Sequence, residues 1–273
     1  MDTIELLVVA LVAVAAAVRS TWSPCGRSML ASITPLAEAG RRHRYGTTAA
    51  WFVVGATLGG ACLGAVTAVL AAGVGAAHLA PSVVAGAALV ACLVALASDT
   101  HLGGFALPVH HRQVNERWLD QFRPWVYGAG FGFQIGCGLA TYIMTAAVYL
   151  VVVLGALGGR PVAAVALGAG FGLVRGLAVL LGRSITAPEA LTAFHQRFEA
   201  WGPASRRLVL GTEVLAAVVF AGGLSTWAAL VGAAAAGLGL VATLVARRPT
   251  AVGPDGQRAP GDEPGPRLTP GPG

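Results

Sequence analysis

Residues 125–154 read WVYGAGFGFQIGCGLATYIMTAAVYLVVVL, thirty positions without a charge. A helix rises 1.5 Å per residue, so this run would measure about 45 Å as one straight helix, against ~30 Å of bilayer hydrocarbon. It also carries Gly136-Cys137-Gly138 near its middle, where glycine weakens a helix. The stretch therefore predicts a membrane-spanning helix that is broken or strongly kinked. Such a break is tolerated at membrane depth where it lines a cavity or is covered by protein. Gly128, Gly132 and Gly136 recur every fourth residue and give the first half a smooth face for close helix approach.

Outward from this stretch the same reading repeats. Apolar runs lie near 4–37, 47–72, 80–98, 161–182, 208–224 and 226–246, seven in all with 125–154. The first is again too long and holds its own breakers, Ser23-Pro24-Cys25-Gly26. Of 273 residues 56% are hydrophobic and 11% charged, against about 25% charged in a soluble domain. A soluble globule is excluded, and the alternation of a barrel strand is absent. The expected class is an all-α polytopic membrane protein.

All eighteen basic residues are arginine, and they sit mainly in connections. Arg41, Arg42 and Arg44 follow the first run. Arg112, Arg117 and Arg123 lie in 99–124, and Arg183, Arg197, Arg206 and Arg207 in the connection 183–207. Arg247 and Arg248 close the seventh run, whereas the alternate connections hold Arg160 alone. The positive-inside rule then puts the N-terminus outside and the C-terminus inside the cytoplasmic membrane. The acidic start Met1-Asp2-Thr3-Ile4-Glu5 lacks the basic region of a signal peptide, so the first span is expected to be uncleaved. The tail from Pro249 to Gly273 is rich in proline and glycine and is expected to be disordered. In 99–124, Trp118 and, just beyond, Trp125 suit a headgroup-level segment.

A weak internal repeat divides the chain. Cys25 and Cys137 lie 112 positions apart, and Gly55-Ala56 and Gly168-Ala169 lie 113 apart. Units of three spans are odd, so the second would be inverted. The expected organisation is a first three-helix repeat over 1–98, a cytoplasmic loop over 99–124, and a second repeat over 125–224. A seventh transmembrane helix over 225–248 and the tail 249–273 follow.

Chemistry concentrates on few residues. Equivalent positions of an inverted repeat converge near the midplane, so Cys25 and Cys137 are the candidate reactive thiols, with Pro24, Arg27, Gly136 and Gly138 modulating them. Cys62 and Cys92 lack flanking breakers and read as small packing residues. Arg175 and Glu213 lie within apolar runs at similar depth and are expected to pair. Arg19 marks where the first span meets water or a cavity. Gln134, Thr141, Tyr142 and Thr145 could line a cavity or cross-bond helices. His101, His110 and His111 fall in a loop without metal-ligand spacing. There is no P-loop, GxSxG or HExxH motif, and no metal or cofactor is expected.

Trp22-Ser23-Pro24-Cys25 followed by Pro35, with Gly128-Ala129-Gly130-Phe131-Gly132 leading to Gly136-Cys137, resembles the two cysteine motifs of the CcdA/DsbD transmembrane electron-carrier family over about 4–222. That resemblance implies that Cys25 and Cys137 are catalytic. They would pass reducing equivalents from a cytoplasmic thioredoxin-like donor to an extracytoplasmic thioredoxin-fold acceptor, commonly for cytochrome c maturation. The sequence departs from the family in lacking proline soon after Cys25 and around Cys137. A family relative of the kind found with amine-dehydrogenase maturation genes, a non-catalytic maturation factor, or a small-solute exporter with Arg27, Arg175 and Tyr142 in its cavity are the alternatives. Reporter fusions at Ala76, Gly158 and Gly273 are expected to report outside, outside and inside; an inside signal at Gly158 breaks the inverted repeat.

Overall fold

A computed structural model of the chain describes residues 2–108, 121–139, 141–224 and Gly237. The seventh apolar run apart from Gly237, the tail, and His110, His111, Arg112, Arg117 and Trp118 lie outside the described residues. The described chain is helical and contains no strand.

The first apolar run is divided into α1 (Thr3–Ser20), α2 (Pro24–Ser32) and α3 (Pro35–Gly40). The acidic start of the chain is a capping box, in which Glu5 N donates to Asp2 and Asp2 N donates to Glu5, both at 2.8 Å. The expected break is also a start signal. Ser23 caps α2 through its hydroxyl, which accepts from Gly26 N at 3.2 Å, and Pro24 occupies the first helical position. Thr34 and Pro35 start α3 the same way.

There follow α4 (Tyr45–Ala76) and α5 (Pro81–Thr100). The run 125–154 is broken as expected, into α6 (Pro124–Gly136) and α7 (Ala147–Leu157). Next come α8 (Pro161–Leu177), continued by a 3-10 turn to Ser184, and α9 (Pro188–Gly222). Thr3–Ser20, Tyr45–Ala76, Pro81–Thr100 and Pro161–Ser184 are long and apolar enough to cross a membrane, and α7 is a shorter apolar helix. The chain is a helical membrane protein.

One expectation is overturned. The connection 183–207 is not a loop: from Pro188 it belongs to the 35-residue α9, which carries Pro203 within it. Leu191, Phe194, Phe198 and Ser205 turn inward at helical spacing while Arg197, Glu199 and Arg206 stay exposed. Charge alone suggested a loop; the pattern is that of an amphipathic helix.

At the centre of the fold is α4, which packs most extensively against α8 and α6. Its backbone meets theirs directly. A Cβ on Gly132 or Gly136 would overlap the carbonyl oxygen of Phe52 or Ala56, and one on Gly128 would stand 2.8 Å from that of Thr48. Toward α8, Gly60 and Gly64 interlock with Gly168 and Gly172 so closely that a Cβ on Gly64 would be 2.8 Å from Ala164 O. Helices in lipid gain no hydrophobic drive from associating, so close backbone contact supplies the attraction. Gly132→Ala is expected to lose about 1–3 kcal/mol of stability through overpacking against backbone. Gly86→Ala in α5, where nothing lies within 4 Å, should be neutral or slightly stabilising. Thermal unfolding in detergent compares the two, and equal effects would sink the close-packing account.

Candidate functional site

The two broken runs bring their ends to one buried residue. Arg175, near the end of α8, is 2% exposed. Its Nη1 donates to Ile135 O at 2.6 Å and its Nη2 to Ser20 O at 3.5 Å. Ile135 lies in the last turn of α6, just before Cys137, and Ser20 ends α1, just before the break that leads to Cys25. Ile135 O also accepts from Gly138 N at 3.2 Å and Ser20 O from Ser23 N at 3.1 Å, so the guanidinium, with five N–H groups, adds a second and charged donor to each carbonyl. Phe171 lies under the guanidinium, 5.7 Å from centroid to Cζ. Arg175 also interacts electrostatically with Cys25.

The expected pairing with Glu213 is therefore corrected. Arg175 donates to two backbone carbonyls and not to Glu213, which is fully buried in α9. Glu213 has Asp99 and Cys92 in its electrostatic surroundings instead.

Cys25 is 2% exposed and belongs to a buried cluster with Trp22, Met29, Phe52, Phe131 and Ile135. It holds the second position of α2, at the positive end of the helix dipole. Gly26 beside it is obligatory, because a Cβ there would overlap Thr21 O across the break. Trp22 covers this region by stacking on Phe198 (centroids 4.4 Å, planes 5° apart) and donating Nε1 to Phe198 O at 2.8 Å. Cys137 caps α6, is half-buried, and is followed by Gly138 at φ +65°, the left-handed conformation glycine adopts freely. No disulfide joins Cys62, Cys92 and Cys137 among the described residues. Cys137 has Cys62 of α4 in its electrostatic surroundings, a neighbour the sequence did not suggest. Arg27 pairs with Glu199 of α9 at 3.1 Å, with both side chains about half exposed.

Two polar groups were missed in the sequence because they stand at the margins of apolar runs. Glu38 in α3, fully buried, accepts from Tyr127 at 2.5 and 2.6 Å and from Thr48 at 2.5 Å, and pairs with Arg41 at 3.2 Å. It ties α3, α4 and α6 together. Asp99, at the end of α5, accepts from the Thr145 hydroxyl and from Ala146 N at 2.7 Å, and so holds the segment between α6 and α7. It lines a cavity of about 250 Å³ together with Arg19 and His101. Arg19 thus does mark a cavity, and Thr145 both lines it and bonds across helices.

These features define a helical membrane protein whose spans are interrupted beside two cysteines and tied by a buried arginine. Similar proteins are the methylamine utilization protein MauF of Paracoccus versutus, 33% identical over 181 residues (63% of this chain and 64% of that protein), and its namesake of Paracoccus denitrificans, 30% identical over 198 residues (69% and 66%). MauF of Methylophilus methylotrophus is 31% identical over 195 residues (67% and 62%). The chain thus spans just under two thirds of the length of the relatives it matches. No family model and no solved structure matches it.

Removing Arg175 takes a charged donor from two helix-end carbonyls that each keep one backbone partner, Gly138 N and Ser23 N, at about 1.5–3 kcal/mol for each hydrogen bond to a charged group. Arg175→Leu is therefore expected to destabilise strongly, and Arg175→Lys to recover only part. Because Arg175 and Glu213 share no hydrogen-bond partner, the losses of Arg175→Leu and Glu213→Leu should add within about 0.5 kcal/mol in the double variant. A double variant more stable than either single one would restore the ion pair.

Proposed function

We propose that the chain is a membrane-embedded thiol–disulfide relay in which Cys25 and Cys137 are the working pair. The observation that carries this reading is the placement of both cysteines at helix breaks whose ends Arg175 ties together. The likeness of Trp22–Cys25 and Gly128–Cys137 to the CcdA/DsbD motifs supports it.

In the oxidised relay Cys25 and Cys137 share a disulfide. A thiolate of a cytoplasmic thioredoxin-like dithiol attacks one sulfur, forming a mixed disulfide and releasing the other cysteine as a thiolate that takes up a proton. The donor's second thiolate then displaces the remaining cysteine, and the donor leaves as a disulfide. The reduced pair next gives the same two electrons and two protons to the disulfide of an extracytoplasmic thioredoxin-fold acceptor. The two inverted three-helix repeats, the outside N-terminus and the cytoplasmic membrane belong to this proposal, since they let the pair be reached from either side. The names of the similar proteins suggest that the final acceptor serves methylamine utilization.

Mass-tagging of thiols in cells tests the relay. Under oxidising conditions two of the four thiols should become unreactive. Cys25→Ser or Cys137→Ser should each restore the partner's reactivity, and Cys62→Ser should leave the disulfide in place. Four reactive thiols under every condition, or a disulfide that needs Cys62 and not Cys25, defeats the proposal.

A further inference from the structure

The cavity at Asp99 opens beside a second space. The polar cavity, about 250 Å³, is bounded by Arg19 of α1, Arg206 of α9, and Asp99 and His101 at the end of α5. An apolar groove of about 460 Å³ runs between α5 and α7, past Ala87, Val90, Ala91, Val94 and Val153. Leu107, Pro108, Ala146 and Tyr149 line both. The two spaces thus adjoin along these four residues, polar at the end of α5 and apolar along its length.

The polar part has donors to spare. Arg19 commits Nη1 to Gly202 O at 3.2 Å and to Ser205 Oγ at 3.1 Å. Arg206 commits Nη2 to Asp99 O at 2.9 Å and is exposed. Each guanidinium carries five N–H groups, so both keep donors for a guest. The Asp99 carboxylate is bound on both oxygens, by Thr145 and Ala146, and the Tyr149 hydroxyl donates to Pro108 O at 2.8 Å. Glu213 interacts with Asp99 but does not line the cavity. The unused capacity is cationic and suits a phosphate-sized anion.

The groove matches the other half of such a guest. Val90, Val94 and Val153 are 60%, 39% and 40% exposed. From Ala87 to Ala95 the groove follows α5 for about 12 Å at 1.5 Å per residue, most of the ~15 Å depth of one leaflet.

We infer that this composite site binds an anionic phospholipid, with its phosphate between Arg19 and Arg206 and one acyl chain in the groove between α5 and α7. A free anion would use only the polar cavity, and a neutral lipid only the groove. Two such spaces side by side, with common lining residues, suit a molecule with both parts. The site uses none of the cysteines, so it stands or falls independently of the relay.

The test is lipid retention by the full chain purified in detergent, read by native mass spectrometry with phosphatidylglycerol and phosphatidylcholine supplied in equal amounts. One phosphatidylglycerol per chain should be retained in preference to phosphatidylcholine. Arg206→Gln should reduce retention about fivefold, the effect of one arginine near a charged surface. Val94→Trp, or Val90→Trp should the first fail to fold, should reduce it comparably by filling the groove while circular dichroism stays unchanged. Equal retention of the two lipids overturns the inference. So does displacement by soluble glycerol 3-phosphate together with indifference to both tryptophan variants, which would mark an anion site alone.

Discussion

Backbone-to-backbone contact between α4 and its neighbours α6 and α8 is the constraint on which the rest of this molecule depends. Gly128, Gly132 and Gly136 on one side, and Gly60, Gly64, Gly168 and Gly172 on the other, put carbonyl oxygens where side chains would ordinarily stand. The spacing of four keeps these positions on one helix face. In a bilayer, where apolar side chains gain little by leaving lipid, such contact is what holds helices together. It also fixes where α6 ends and where α8 delivers Arg175. A shift of α8 along α4 by one residue would move the guanidinium by about 1.5 Å and break at least one of its hydrogen bonds.

Around this centre, polar side chains hold what glycine contact does not reach. Arg175 joins the ends of α1 and α6. Glu38 joins α3, α4 and α6, and Asp99 joins α5 to the segment before α7. Each stands near a helix terminus or break: Arg175 and Asp99 bond backbone groups there, and Glu38 bonds the side chains of Thr48, Tyr127 and Arg41. The three groups divide the labour of stabilising the interruptions.

The apolar runs and both breaks were legible in the sequence, because run length against bilayer thickness and proline or glycine placement are local properties. Ser23-Pro24 was read as a breaker and turned out to be a cap with a first-turn proline as well. The glycine face of α6 was legible; its partner was not, since spacing names a face and not what covers it. Arg175 was recognised as unusual but given the wrong partner. A search for its counter-charge finds Glu213, whereas a carbonyl oxygen can come from any residue and leaves no trace in sequence. Residues 188–207 were misassigned because their charges outweighed the Leu191–Phe194–Phe198 periodicity. Glu38 and Asp99 escaped notice at run margins, where acidic residues usually read as solvated loop.

The direct seating of α4 on α6 and α8 has a mechanical consequence. Side chains between helices act as a compliant layer that can re-rotamerise while two helices slide. Here that layer is missing over much of two interfaces, so displacement meets the hard repulsion of backbone atoms at once. The three helices therefore behave as one stiff plate. Any working stroke of the molecule is left to its periphery: α1 with α2, α5, and α9 with its internal Pro203, all joined to the plate through side chains. Cys137 lies at the end of α6, at the edge of this plate, whereas Cys25 lies in α2, outside it, so the two thiols belong to parts of unequal stiffness.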